Sequence, residues 1–460
     1  MRTPDGAPSR FPRLAVVARG CIEDVTGGGI TLGSLLEGWP PDRLGVVSEY
    51  FRPPQLERST WNYQLGSEEY RLVAPLPRGL TRFETSGAVT PSRWHPVPPP
   101  TSSDTRTSAG HTGVCRGSVG MLRRYWKSTS GQALRETLRP LRLSRNLRAW
   151  FRDFRPDLVY GQPSSLGTIR LLLSIREEIG VPLAFHVMDD WPAVAYQRGL
   201  LHRRVHRQSV AAFAELVAAS EACIAIGDAM AEQYQAVYGR EFESFQNCVE
   251  LEQYRAVGRT EWERSDVFHV AYRGRIGLAV ERSLLDLAES IGRLRSRGMS
   301  ITLDVTTPDV GSGVARRLAV SEHVAVAEPG ALDALPRALA SADALVLPYD
   351  FDPRSQAFIR LSVPTKLPEY LASGTPVLVY APEDTAVVRY ARKDGWGMVV
   401  PTREPSMLDS ALARIYEDSG LRRSLGEAGR ATASRNHDAA VVRERFRHLL
   451  AAVASGHRSP

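Results

Sequence analysis

Residues 364–380 read PTKLPEYLASGTPVLVY, and their order describes one α/β unit. Thr365 offers an N-cap hydroxyl, Pro368 lies in the first turn where a missing N–H costs little, and Leu367, Tyr370 and Leu371 share one helical face. Gly374 supplies the stop, and PVLVY resumes as an apolar run suited to a strand buried on both faces. Thr365 and Lys366 are thereby set at a helix N-terminus, where exposed amides, a positive dipole end, a hydroxyl and an ammonium match the needs of a diphosphate. Glu369 follows about one turn later on the same side, with a carboxylate able to accept from two sugar hydroxyls. Lysine occurs only at Lys127, Lys366 and Lys393, which gives Lys366 weight. Each residue taken singly also fits an ordinary α/β unit with a solvated lysine and a surface glutamate.

Working outward, 460 residues exceed one ordinary domain, and 43% apolar residues suffice for two cores. The net charge of +7 comes with no aromatic-basic repeat and no zinc spacing, so no nucleic acid partner is expected. Cys21, Cys115, Cys223 and Cys248 are scattered without paired spacing, which suits reduced thiols in a cytoplasmic enzyme. The N-terminal residues lead into LAVVA without the apolar core of a signal peptide. The apolar stretch 210–230 is broken by Glu215, Glu221 and Asp228, too often to cross a bilayer. A cytoplasmic protein is expected, soluble or peripheral at the inner face of the membrane.

The chain begins with a strand at 14–18, a loop CIEDVTGGGI and a helix from about residue 31. Residues 90–115 are rich in Pro, Ser, Thr and Gly and read as a mobile insertion. Residues 116–155 interleave arginines with Leu122, Trp126, Trp150 and Phe151, a pattern open to two readings: a solvated helix face, or a patch touching anionic lipid. A strand starts at Asp157, a helix covers 166–179, and PLAFHVMDDWP follows. His186 stands near the carboxyl end of that strand, where ligands of open α/β sheets gather, although an isolated histidine equally suits a core. Of Asp189 and Asp190, one reads as structural, with Asp190 able to cap a helix opened by Pro192, and the other as able to orient an acceptor hydroxyl. Residues 245–266 are polar enough for a hinge. A second α/β series starts at Phe268, with strands at 301–305, 323–326, 344–347, 377–380 and 398–400 and terminal helices after about 419. Asp350 and Asp352 form an Asp-x-Asp string of a kind that can hold a divalent metal, but aspartates after a strand are common loop formers.

The segment 364–380 resembles the donor-binding signature of retaining nucleotide-sugar glycosyltransferases of the GT-B fold, glycosyltransferase family 4 in particular. Glu369 matches the second of that family's two glutamates and GTPV matches at residues 374–377, while the first glutamate position holds Leu361. The resemblance implies an α/β chain of GT-B type, two Rossmann-like domains facing an interdomain cleft: an acceptor domain at 10–258, a donor domain at 259–430 and a terminal helix at 431–456 packing back on the first. It also implies a hexosyltransferase moving sugar from a nucleoside diphosphate sugar to a hydroxyl acceptor, free or lipid-linked, with no metal or other cofactor. His186, Arg275 and Lys366 are then the catalytic candidates; Gly28, Gly29, Arg275, Thr365, Lys366 and Glu369 the donor-binding ones; Asp189 and Asp190 the acceptor or structural ones. A sugar-nucleotide epimerase or a weakly catalytic binding subunit are the alternatives.

Overall fold

The computed structural model describes residues 11–20, 22, 27–51, 56–70, 86–90 and 131–456. They form two compact units: residues to Phe245 together with those from Glu444, and Gln246–Arg443.

In the first unit the described residues build an eight-stranded sheet in the order β4-β3-β2-β1-β5-β6-β7-β8. Its strands are β1 (Leu14–Val17), β2 (Leu44–Ser48), β3 (Trp61–Gln64), β4 (Gly87–Val89), β5 (Leu158–Gly161), β6 (Leu183–Val187), β7 (Ala222–Ala225) and β8 (Glu243–Ser244). All pairs are parallel except β3 with β4. Every residue of β1, β5, β6 and β7 is buried, as an apolar strand covered on both faces requires. The expected helix appears at Leu166–Ile179, opened by a Ser165–Thr168 capping box and closed by Gly180 at φ +75.

The second unit holds a six-stranded parallel sheet, β11-β10-β9-β12-β13-β14. Its strands are β9 (Phe268–Arg273), β10 (Ile301–Thr306), β11 (Val324–Ala327), β12 (Ala344–Pro348), β13 (Val377–Tyr380) and β14 (Gly397–Val400). This order reverses direction between β9 and β12, so the crevice for a ligand lies outside the carboxyl ends of those two strands. PVLVY is buried on both faces: Leu378 and Tyr380 join one apolar cluster with Val270 and Leu303, while Val377 and Val379 join another with Leu347 and Trp396.

The unit boundary falls at Phe245, earlier than the expected residue 258. Residues 246–258 belong with the second unit because the Val249 amide donates to His437 O and the Asn247 side chain to Thr365 O. The expected hinge further on is packed: Trp262 is buried and its indole donates to Gly374 O at 3.1 Å. The C-terminal break also differs, since residues 431–443 remain with the second unit and those from Glu444 join the first.

Candidate functional site

At the carboxyl end of β9 the chain reads Arg273-Gly274-Arg275. Gly274 holds φ +149, and a Cβ there would run into the Lys366 ammonium and the Tyr272 hydroxyl, so only glycine lets the lysine approach. Lys366 Nζ sits 4.1 Å from the centre of the Tyr272 ring, a cation–π contact. The Tyr370 hydroxyl accepts from the Arg273 amide at 2.9 Å, so the helix Leu367–Ser373 is tied to the strand end. Burial pushes the Lys366 ammonium down to about 7, with the Glu369 carboxylate opposing. Burial likewise pushes Glu369 up to about 7, against the pull of Arg273 and Lys366. Two cations and one carboxylate therefore meet beside the switch point of the sheet.

Arg275 stands at the same edge, half exposed, and donates to Asp309 Oδ1 at 3.1 Å, while the Ile276 amide takes Asp309 Oδ2 at 3.0 Å. Thr365 departs from its expected part. The helix starts one residue later, with Lys366 at the N-cap position and no side-chain cap, and the Thr365 carbonyl accepts from Asn247. Leu361, at the family's first glutamate position, is buried. Asp350 and Asp352 serve the backbone: Asp350 Oδ1 accepts from the Ser283 amide at 2.8 Å, and Asp352 caps the helix Pro353–Ile359 by accepting from the Ser355 amide and hydroxyl. Among the described residues no three His, Cys, Asp or Glu side chains gather as metal ligands.

In the first unit His186 does not project outward. It is wholly buried, its Nδ1 2.7 Å from the Tyr160 hydroxyl, and burial pushes the imidazole down to about 3. The reason is the pleat: in parallel register Ala184 pairs Tyr160, so His186 shares the face of Tyr160, and that face is covered by Phe446. The glycine cluster is the first turn of the helix Gly27–Leu35, where a Cβ on Gly28 would come within 3.0 Å of Gln162 Nε2 and Gly29 is buried. Asp190 is the structural aspartate, buried and accepting from the Tyr234 hydroxyl at 2.8 Å, although its side chain caps no helix; Asp189 is exposed. Beyond the predicted residues, Arg19 pairs with Glu49 at the carboxyl ends of β1 and β2, and Tyr70 donates to the same carboxylate. Cys223 and Cys248 are buried thiols in no disulfide, while Cys21 and Cys115 lie outside the described residues.

The basic region is corrected in part. Residues 116–130 and most of the insertion at 90–115 lie outside the described residues. In the helix Arg145–Phe154, however, Trp150, Phe151 and Phe154 are core, with Trp150 stacked on Phe154 at 5.2 Å and Arg148 bound to Glu178. Its apolar face is therefore spent on the protein. Among the described residues no helix is long and apolar enough to cross a membrane.

Residues 267–418 match the family of glycosyl transferases group 1. The second unit carries a glycosyltransferase domain. That match covers β9 to β14 and includes Arg273, Arg275, Lys366 and Glu369, and it supports a transferase enzyme. No protein of curated function matches the chain in sequence. Solved structures match nearly its whole length. A sucrose-phosphate synthase of Thermosynechococcus elongatus gives a TM-score of 0.61 at 12% identity over 96% of this chain and 99% of that one. Anabaena HepE in complex with UDP-glucose gives 0.58 at 11% identity over 95% and 99%. An α,α-trehalose 6-phosphate synthase of Burkholderia multivorans gives 0.54 at 13% identity over 97% and 99%. At such identities the likeness establishes the fold, which is GT-B: two Rossmann-like domains, each on a mainly parallel sheet.

Proposed function

We propose that the chain moves a sugar from a nucleoside diphosphate sugar to a hydroxyl acceptor, with retention, in the assembly of a cell-surface polysaccharide, a glycolipid or a glycosylated metabolite. The observation that carries this reading is the grouping of Arg273, Lys366 and Glu369 at the sheet's switch point, inside the stretch matching glycosyl transferases group 1. Breaking the glycosidic bond leaves negative charge on the departing phosphate, and preorganised cations stabilise that charge as it grows. Lys366 takes this part, and Arg275 joins it by exchanging Asp309 for phosphate oxygens. Glu369 accepts from the ribose hydroxyls. The departing phosphate assists deprotonation of the acceptor, so the reaction asks for no enzymic nucleophile and no metal. In the first unit the exposed Asp189 is the acceptor-orienting candidate, and His186, as a core residue, drops from the catalytic set. The protein acts in the cytoplasm.

HepE is described with UDP-glucose, which makes uridine diphosphate sugars the first probes. A thermal-shift screen of nucleoside diphosphates and their sugars tests the reading, because a true ligand raises the melting temperature through linkage. Stabilisation followed by turnover with an acceptor supports transfer. Consumption of donor without acceptor points to an epimerase. The buried Leu361 at a glutamate position favours one second reading, a binding subunit, which stabilisation without turnover across broad acceptor sets would indicate.

A further inference from the structure

The helix His202–Ala219 buries Val205, Ser209, Ala212, Phe213 and Leu216 against its own unit, packing largely on the helix Leu166–Ile179. Its other side and the turn before it are different in kind. Arg198, Arg203, Arg204 and Arg207 are all exposed, and Arg170 of the neighbouring helix adds a fifth cation beside Gln208. The four arginines are engaged by no carboxylate among the described residues. The helix Gln132–Leu138, packed on the helix His202–Ala219, carries Glu136, whose carboxylate accepts from the Gly167 amide at 2.9 Å, and the helix His202–Ala219 itself carries Glu215, about two turns beyond Arg207. His202 and His206 each have Nδ1 on a backbone carbonyl, of Gly199 and Ala195.

Exposed apolar side chains share this surface. Leu200 is 62% exposed and Val210 41%. Arg203, Arg207, Val210, Ala211 and Ala214 follow one helical face, and all are exposed. Leu200 is held outward by a strained turn, in which Tyr196 has φ +55, Gly199 φ +94 and Leu201 φ +65. Two non-glycine residues in the left-handed region persist only where the surroundings fix them. Here the Tyr196 hydroxyl accepts from the Leu166 amide at 2.9 Å, which anchors the turn.

We propose that this turn and the start of the helix form a docking surface for an anionic lipid bilayer. The arginines meet headgroup phosphates and let their stems lie along the interface, while Leu200 and Val210 enter it. Nucleic acid would use the same cations but leave both apolar side chains in water. Docking stands on the surface alone; its consequence, an acceptor carried on a lipid, rests on the transfer reading above.

The test is co-sedimentation of the full chain with phosphatidylcholine vesicles and with vesicles that also contain phosphatidylglycerol, at low and high salt. Binding is expected only to the anionic vesicles and falls as salt screens it. Arg203→Glu with Arg204→Glu is expected to cut the partition coefficient more than about tenfold, given the usual gain per basic residue at such a surface. Leu200→Ser, which changes no charge, is expected to cut it severalfold. Melting temperatures equal to that of the unsubstituted chain show that the variants fold. Absence of binding to anionic vesicles at low salt overturns the proposal, as does an unchanged partition for the arginine variant. An unaffected Leu200→Ser overturns bilayer entry, and tighter binding to single-stranded DNA than to vesicles overturns lipid as the partner. Vesicle binding without any response to UDP would count against the transfer reading and leave docking standing.

Discussion

Lys366 and Glu369 are each poised near neutrality by burial, and that makes nucleotide binding sensitive to pH in a direction that can be worked out. A diphosphate held by Lys366 needs the ammonium. Because the free site loses its proton near pH 7, binding above that pH must take up a proton, and affinity for inorganic diphosphate falls by up to about tenfold per pH unit. Lys366→Arg, which stays charged, is expected to flatten this dependence, while Lys366→Ala weakens UDP by about 1.5–3 kcal/mol at pH 6. Calorimetry across pH 6–8 reads both, and a slope as steep in the arginine variant as in the unsubstituted chain sinks the assignment, since Glu369, titrating in the same range, accounts for only part of it. Glu369→Gln is expected to weaken UDP while sparing inorganic diphosphate; equal losses argue against a ribose partner. His186 supplies a different prediction, about stability. Its folded pKa lies below its unfolded one, so between pH 6.5 and 3 the unfolded chain binds the extra proton and stability declines on acidification. From pH 6.5 to pH 5 this amounts to about 2 kcal/mol, and His186→Gln is expected to show a correspondingly shallower fall in melting temperature. An unchanged acid profile would show that the histidine is not a neutral core group.

The helix Ser419–Asn436 lies against the helix Leu367–Ser373, and glycines permit the contact. A Cβ on Gly426 would collide with the Gly374 carbonyl and the Trp262 indole, and Gly374 itself sits at φ +73. Gly426→Ala is therefore expected to destabilise the second unit by about 1–3 kcal/mol or more, at about 2–4 °C of melting temperature per kcal/mol. Gly313→Ala, where a Cβ meets open space, is expected to stay within about 0.5 kcal/mol. Equal melting temperatures for the two variants would refute the packing argument. At this scale the sequence was most readable where an apolar run is bounded by glycine or proline: the strand at 377–380 and the helix at 166–179 fall on the expected residues. It was least readable where the answer depends on a distant segment. His186 is core because Phe446, far along the chain, covers its face. The amphipathic pattern around Trp150 is as real as expected, but periodicity states that a face is apolar and leaves open whether protein or lipid meets it. Arg273 was overlooked for its neighbour Arg275, although alternation along β9 places it on the half-exposed face.

Across the whole molecule, the first unit is completed by residues from the end of the chain. Phe446, Leu450 and Val453 are buried, Phe446 packs edge-on to Tyr160 and Phe245, and Arg447 donates to Glu37 O at 2.9 Å. The second unit closes at Arg443, and its candidate nucleotide site draws on none of these terminal residues. A chain ending at Arg443 should therefore lose part of one core and none of the other. Deleting Phe446 alone removes contacts of a kind that cost about 3–5 kcal/mol on truncation to alanine, a large share of a domain's stability. Limited proteolysis is expected to cut the shortened chain within residues 131–245 while sparing 246–443, and UDP is expected to slow cleavage of the spared part as it does in the full chain. Phe446→Ala should show the same pattern more weakly. If cleavage instead spreads evenly through both units, or UDP protection vanishes with the terminal residues, then the second unit is not the self-sufficient body that its own six-stranded sheet and its own two apolar clusters indicate.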